Sequence, residues 1–211
     1  MINKKNTLII LDWDDTLFPT TWIVKNNINI ENDIEKYKKE FIKLDKLLYK
    51  TFKKLLNYGQ VAIITNAMLK WVLMSLKVLP ITSKLINNKI QIISARDECE
   101  NSDIELKYWK TVIFNDYVTL NFKNQKSVQN ILSIGDAEYE INALINLNDK
   151  KYKKRLLKAV KFIPMPKYEV LLEQIEILNE SIENICNQTS HMDLKIIPIE
   201  EQNETEKKTK I

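Results

Sequence analysis

Short apolar runs alternate with amphipathic stretches along most of this chain. The runs, rich in Ile, Leu and Val, cover 7–12, 60–65, 90–94, 131–134 and 160–163. Between them, apolar residues recur at helical spacing, which predicts helices over 31–56, 67–79, 103–118, 138–158 and 168–186. Gly59 stands where the first of these helices should end. Buried strands that alternate with helices are typical of a parallel, doubly wound α/β sheet, here of about five strands.

The length and composition fit one globular domain followed by a polar tail. The chain has 211 residues, of which 45% are hydrophobic and 28% are charged. The last stretch has few aromatic residues and mixed charge. We therefore predict a folded core over 1–186 and a disordered tail over 187–211. No apolar run is long enough to cross a membrane.

The scarce residue types exclude several classes of chemistry. The single histidine, His191, argues against histidine-based triads and histidine-rich metal sites. Two glycines are too few for a phosphate-binding P-loop or a dinucleotide-binding turn. The net charge of +4 does not indicate a nucleic-acid partner. Two cysteines without metal-type spacing predict free thiols and a cytoplasmic protein.

A pair of carboxylates follows the first apolar run. Asp12 and Asp14 are two residues apart, so they project to the same side of a strand. At about 4 Å and an effective dielectric constant of about 20, two such charges repel by roughly 4 kcal/mol. A chain keeps this arrangement when a cation neutralises it or when one carboxyl group holds a proton. The pair therefore indicates chemistry.

Polar residues also end two of the other predicted strands. Thr65 closes the second run, and Asp136 follows the fourth, with Glu140 four residues later. Ligands of doubly wound sheets bind beyond the carboxyl ends of the strands, so we expect these residues in one crevice with Asp12. Carboxylate oxygens suit Mg²⁺. With a lysine from the helix before the fourth strand, the set would supply a nucleophile, an acid or base, a hydroxyl donor and a metal site.

Three segments resemble the motifs of a known superfamily. ILDWDDTLFPT, IITN and ILSIGDAEYE are similar to motifs one, two and four of the haloacid dehalogenase (HAD) superfamily of phosphohydrolases. The chain resembles more closely a eukaryotic branch with a DWDDTL-P start, a WK…F segment and a KFIP-P ending, and the likeness extends over 7–180. The resemblance implies a Rossmann-like core and a Mg²⁺-dependent phosphatase acting on a phosphorylated substrate.

The resemblance also implies a role for each matching residue. Asp12 would attack phosphorus and become an aspartyl phosphate. Asp14 would protonate the leaving group and then activate water, and its backbone carbonyl would help to hold Mg²⁺. Thr65 would donate a hydrogen bond to a phosphoryl oxygen. Asp136 would bind the metal ion, with Glu140 as a second ligand or as a partner of the ligands; the superfamily often has aspartate at the latter position.

The lysine of the motif has several candidates, which are Lys107, Lys110, Lys123 and Lys126. Lys126 stands ten residues before Asp136, which is too close for a helix end and a strand to fit between them. Lys110, in YWKTVIF, matches the WK…F segment of the branch. We prefer Lys110 to Lys123. Trp71 and Trp109 are expected in the core because they lie at helical spacing.

Neither interval that could hold a specificity domain is long enough for one. The first runs from Asp14 to the second strand, and the other from Thr65 to Lys110. We therefore expect an enzyme without a cap or with a minimal one and with an open site. The resemblance to the superfamily implies that such a site suits a large or protein-borne phosphate, such as a phosphoprotein. A phosphotransferase remains open. The alternative function is that of a catalytically weak relative that binds phosphorylated partners or acts as a scaffold.

Overall fold

The computed structural model describes residues 2–122, 128–148 and 155–198. Six strands form one open sheet in the order β3-β2-β1-β4-β5-β6, and every neighbouring pair is parallel. The strands are β1 (Thr7–Leu11), β2 (Gln60–Thr65), β3 (Gln91–Ser94), β4 (Gln129–Gly135), β5 (Arg155–Lys161) and β6 (Met192–Lys195). This confirms the predicted parallel, doubly wound α/β class.

Eight α-helices accompany the sheet in the described ranges. They are α1 (Thr20–Lys25), α2 (Lys38–Tyr58), α3 (Leu69–Ser75), α4 (Pro80–Lys89), α5 (Ala95–Cys99), α6 (Leu106–Phe122), α7 (Glu138–Asn146) and α8 (Tyr168–Asn187). Helix α2 ends at Gly59, as predicted, and the N–H of Gly59 donates to Leu55 O. A Cβ atom at Gly59 would lie 2.7 Å from Thr7 O, so only glycine lets the chain pass β1 here.

The two faces of the sheet carry separate hydrophobic clusters. In β1, Ile9 and Leu11 face a cluster with buried residues from α2, α4 and α8. Leu8 and Ile10 face the other cluster, which α6 and α7 cover. Every residue of β1 is buried, as expected of a central parallel strand. The strand order reverses direction between β1 and β4, and the crevice at their carboxyl ends is therefore the expected ligand site.

The prediction of a disordered tail over 187–211 is wrong at its beginning. Helix α8 continues to Asn187, and β6 then pairs with β5 as a sixth strand beyond the predicted five. Met192 and Leu194 pack against the core while the residues between and after them are exposed. A short, half-exposed edge strand has too few apolar residues to be recognised from the sequence. Residues 199–211 lie outside the described part of the chain.

One predicted helix and one interval without a predicted helix also differ from the structure. The helix expected over 138–158 ends at Asn146, and 155–158 belong to β5, which starts five residues before the predicted run at 160–163. The interval between the helix predicted over 67–79 and the run at 90–94 contains helix α4. The buried Lys158 interrupts the apolar pattern of β5, which made this strand look like part of an amphipathic helix.

The two intervals considered for a cap fold onto the sheet. Between β1 and β2, Phe18 and Ile23 belong to the same buried cluster as α2 and α8. Between β2 and β3, Val72 and Ile86 belong to it as well. Neither interval therefore forms a separate domain. None of the helices in the described ranges is both long and apolar enough to span a membrane.

Candidate functional site

Asp12 lies at the carboxyl end of strand β1, in the crevice between β1 and β4. The N–H of Asp12 donates to Ile134 O at 2.9 Å, so the pairing of β1 with β4 continues one residue past the strand. The side chain is buried, with 6% of the residue exposed. Its position is therefore set by the two central strands of the sheet rather than by a loop.

A closed turn follows Asp12 and returns the chain to the sheet edge. Trp13 O accepts hydrogen bonds from Leu17 N and Phe18 N, both at 2.9 Å. Asp15 has a φ of 53°, in the left-handed region, which aspartate tolerates better than most residues. Its carboxylate accepts hydrogen bonds from the backbone N–H and the hydroxyl of Thr21, which anchor the turn to α1. The second aspartate of the motif lies inside this turn.

Asp14 is held by two donors on a single oxygen. The hydroxyl of Thr20 and the indole N–H of Trp71, the latter at 2.8 Å, both donate to Asp14 Oδ1. Because neither bond involves Oδ2, that oxygen is left for a ligand. Burial raises the pKa of Asp14, and the charges of Asp12 and Asp15 raise it further against the opposing effect of the two hydrogen bonds.

Trp71 and Thr20 were not predicted as site residues. Trp71 was expected in the core, and its ring does pack edge-on against Phe18 with the centroids 5.9 Å apart. Its residue is only partly buried, however, and its N–H points at Asp14. Helical spacing cannot reveal such a contact, because 57 residues separate Trp71 from Asp14. Asp14 and Trp71 meet only through the packing of α3 beside the turn.

Glu140 reaches the site from the first turn of α7. Its Oε2 accepts the N–H of Ala137 at 3.0 Å, and 3% of the residue is exposed. A Cβ atom at Gly135 would lie 2.6 Å from Glu140 Oε2 and would overlap its Cγ. The glycine before Asp136 thus makes the room in which Glu140 folds back over the end of β4.

Lys110, on α6, is the lysine that reaches these carboxylates. Its ammonium Nζ lies 2.7 Å from Asp12 Oδ1 and forms a second ion pair with Glu140. Burial lowers the pKa of Lys110, but the charges of Asp12 and Glu140 outweigh this effect, so the pKa is raised. Lys107 is exposed and pairs with Glu105 instead. The alternatives Lys123 and Lys126 lie outside the described residues.

Three carboxylates could hold a metal ion together. One oxygen from each of Asp12, Asp136 and Glu140 lies within 4.8 Å of the other two. Opposite ligands of an octahedral Mg²⁺ are about 4.2 Å apart and adjacent ones about 3 Å, so the three oxygens would move closer together when they bind one ion. The carboxylate of Asp14 is not in this group.

The charge balance of this group also suits a divalent cation. Three carboxylates and the ammonium of Lys110 leave two negative charges in a buried space. Burial, together with the charges of Asp12, Glu140 and Asp15, raises the pKa of Asp136 to about 8 against the opposing charge of Lys110. Asp136 makes no side-chain hydrogen bond or ion pair with the described residues, so its oxygens are available. The donor set and its charge therefore fit Mg²⁺.

Thr65 ends β2 beside this cluster. Its Oγ1 accepts the N–H of Ala67 at 3.1 Å, so the hydroxyl hydrogen remains free to donate elsewhere. Helix α3 starts only at Leu69, which means that Thr65 closes a turn rather than capping the helix. The register places Ile63 of β2 opposite Leu11 of β1, so Thr65 lies at the same edge as Asp12.

The turns after β2 and β3 are fastened to each other. Ser94 Oγ donates to Ala67 O at 2.7 Å, and the carboxylate of Asp97 accepts the N–H of Leu69 at 2.9 Å. Asn66 Oδ1 and Arg96 Nε, one on each turn, are buried without a hydrogen-bond partner in the described part of the chain. Buried polar atoms of this kind are uncommon and are available to a ligand.

Comparisons with protein-family models, with curated proteins and with solved structures found no match for this chain.

Proposed function

We propose that this protein is a Mg²⁺-dependent phosphohydrolase of the HAD type that works through an aspartyl-phosphate intermediate. One observation carries the proposal: a buried lysine contacts Asp12 beside a group of three carboxylates, at the crevice where the strand order reverses. Three separated parts of the sequence contribute Asp12, Lys110 and Asp136, and all of them meet at the carboxyl ends of β1 and β4. Such convergence supports a site for an anionic, metal-bound substrate.

The first half of the proposed reaction uses the two aspartates of the first motif. A carboxylate oxygen of Asp12 forms a bond to phosphorus while the bond from phosphorus to the ester oxygen breaks. Asp14 gives a proton to the departing oxygen from Oδ2, because Oδ1 already accepts two hydrogen bonds. In the second half, Asp14 takes a proton from a water molecule, which attacks phosphorus and releases Asp12 and phosphate.

The surrounding groups offset the negative charge that would otherwise keep two anions apart. Mg²⁺, held by Asp12, Asp136 and Glu140 and by the backbone carbonyl of Asp14, would supply electrostatic stabilisation of the phosphoryl oxygens. Lys110 holds Asp12 in place through their ion pair. Thr65 donates its hydroxyl to a phosphoryl oxygen, since its own acceptor is already used by Ala67.

The substrate class in this proposal is a large or protein-borne phosphate. Its support is the absence of a separate domain in either interval that could cover the crevice, both of which fall within residues 2–122. A cytoplasmic location belongs to the same proposal, and both cysteines are buried and free, as in a reducing compartment. A phosphotransferase would use the same residues and differ only in the acceptor of the second step.

The decisive experiment is hydrolysis of p-nitrophenyl phosphate with and without Mg²⁺. We expect turnover by the wild type that disappears on chelation and falls at least about a thousandfold in Asp12→Asn. Asp103→Asn, an equal change at an exposed aspartate, is the control and should retain full activity. Equal turnover in Asp12→Asn would reject the nucleophile.

A second measurement separates the enzyme from the alternative of a phospho-binding or scaffold protein. Wild type quenched during turnover should carry an added phosphoryl group on the peptide that contains Asp12, detectable by mass spectrometry. A protein that binds the aryl phosphate without turnover and without this modification would favour the alternative function.

A further inference from the structure

A groove lies on the outer side of β3, away from the carboxylate cluster. It has a volume of about 360 Å³ and runs between the edge of β3 and helix α6. Its apolar lining includes Ile92 and Ile93 from the strand and Ile113 and Leu120 from the helix. Leu120 is 74% exposed, which is unusual for a leucine beside a sheet.

Strand β3 leaves its outer edge open. Within the described ranges it pairs with β2 alone, so backbone N–H and C=O groups on the other side have no strand partner. Natural proteins protect such edges with lysine, proline or a covering helix. The sequence of β3, Gln-Ile-Ile-Ser, has neither lysine nor proline. The edge can therefore accept another extended segment.

The charged residues that line the groove are all acidic. Asp97 and Glu98 come from α5, and Asp116 comes from α6 on the opposite side. No lysine, arginine or histidine is among the described residues of the lining, although basic residues outnumber acidic ones, 32 to 28, in the whole chain. Burial raises the pKa of Cys99, and the charges of Glu98 and Asp116 raise it further, so both carboxylates act on the same place.

We propose that this groove binds an extended segment of a partner protein in which apolar residues alternate with lysine or arginine. The segment adds to the sheet as a seventh strand beside β3 and spans about four residues, the length of that strand. Its apolar side chains contact Ile93 and Leu120, and its cations face Asp97, Glu98 and Asp116. A second copy of this chain is a poor occupant, because groove against groove would bring the same carboxylates together.

The binding is independent of the proposed phosphatase activity, and its test requires no turnover. The probes are two fluorescein-labelled hexapeptides, Lys-Val-Lys-Val-Lys-Val and Glu-Val-Glu-Val-Glu-Val, titrated with the full chain and followed by fluorescence anisotropy. We expect the lysine peptide to bind at least about tenfold more tightly, because several ion pairs of modest strength replace repulsions. Equal binding of the two peptides would overturn the proposal.

A third peptide tests strand addition. N-methylation of alternate residues of the lysine peptide keeps its charge and removes the N–H groups that would pair with β3. We expect its affinity to fall about thirtyfold, since two hydrogen bonds of about 1 kcal/mol each are lost. Unchanged affinity would show that charge alone attracts the peptide and would reject a seventh strand.

Two matched variants locate the binding site. Leu120→Lys places a cation in the groove at an exposed helix position, and we expect about fivefold weaker binding of the lysine peptide. Ile145→Lys makes the same change at an exposed position of α7 and should bind as the wild type does. Equal losses of affinity in both variants would show that the peptide binds elsewhere. If the wild type is a dimer and Leu120→Lys is a monomer, the groove binds a second copy of this chain, and the proposal of a partner protein is wrong.

Discussion

Two lysines are buried among the residues that the structure describes, and they have opposite surroundings. Lys110 lies among carboxylates at the carboxyl end of the sheet, and its pKa is raised. Lys158, in β5, is fully buried beneath α8, where its ammonium donates to Ile185 O at 2.7 Å and to Cys186 O at 2.9 Å. Burial lowers the pKa of Lys158 to about 8, and the charge of Cys186 opposes this only in part.

The difference distinguishes a lysine within a cluster of carboxylates from a lysine bound to backbone carbonyls. Among the described residues, Lys158 has no carboxylate partner, and its two acceptors are carbonyls of the last helical turn, where a cation stabilises the helix dipole. Lys110 instead belongs to a cluster whose negative charge exceeds its own. An unbalanced buried cluster at a sheet's carboxyl edge is neutralised by a further cation or by a proton, whereas the ammonium of Lys158 already has two carbonyl acceptors.

Removal of Lys110 is the strongest test of this contrast. We expect Lys110→Met to lower aryl phosphatase turnover at least about a thousandfold, because the nucleophile loses the charge that holds it. Breaking a buried ion pair by removing one partner also destabilises, here by about 3–5 kcal/mol in urea unfolding. Lys107→Met, at an exposed lysine on the same helix, should match the wild type in both measurements. Full activity in Lys110→Met would show that turnover does not need Lys110 and would reject its proposed role beside Asp12.

A second test of the contrast between Lys110 and Lys158 neutralises Glu140, the other carboxylate that pairs with Lys110. Glu140→Gln keeps the shape and can still accept the N–H of Ala137, but it removes one charge from the metal site. We expect Mg²⁺ affinity, measured by calorimetry, to weaken by about 10- to 100-fold. Glu138→Gln, an exposed position of the same helix, is the control. Unchanged affinity would remove Glu140 from the ligand set and leave it as a partner of Lys110 alone.

A smaller effect on turnover is expected from a change at Trp71, an uncharged residue whose indole N–H donates to Asp14. Trp71→Phe keeps the ring and removes one hydrogen bond to Asp14, which should lower turnover about five- to tenfold. The loss should be larger for an alkyl phosphate than for p-nitrophenyl phosphate, whose leaving group needs no proton. Trp109→Phe removes an equivalent hydrogen bond, to Ile104 O, outside the site and should leave both rates unchanged.

The smallest effect on turnover is expected at Lys158, where Lys158→Met should be fully active. The expected effect of Lys158 is instead on the pH dependence of the free energy of unfolding. Between about pH 8 and pH 10.5 the folded lysine binds fewer protons than the unfolded one, so stability rises with pH. The wild type should therefore gain about 1–3 kcal/mol relative to Lys158→Met across this range, in urea unfolding at several pH values. A difference that stays flat with pH would contradict the lowered pKa.

The sequence predicts those parts of the fold that depend on local pattern. The runs that became β1, β2 and β4 are short and largely apolar, and their carboxyl ends indicated that Asp12, Thr65 and Asp136 lie at the same edge of the sheet. The beginning of β5 was missed because the acceptors of Lys158 are carbonyls at the end of α8, far along the chain. A buried lysine next to such acceptors is indistinguishable, in sequence, from the polar face of a helix.

The site was predicted unevenly for a related reason. Asp12, Asp14, Asp136 and Glu140 follow strands or begin a helix, so spacing places them, and the resemblance to the HAD motifs led to Lys110. Thr20 and Trp71 carry no such signal, since a tryptophan at helical spacing most often belongs to a core. Their contact with Asp14 depends on how α1 and α3 pack beside the turn.

Gly135 is a position at which a substitution would disrupt the carboxylate cluster without removing any of its members. Because a single methyl group there would collide with Glu140, a Gly135→Ala exchange would dislodge a carboxylate from the cluster while leaving every charged residue in the chain intact. The position of Glu140 in the carboxylate cluster thus depends on the absence of a Cβ atom at residue 135. Loss of function in a relative could arise at this inconspicuous position while all the motif's signature residues persist unchanged.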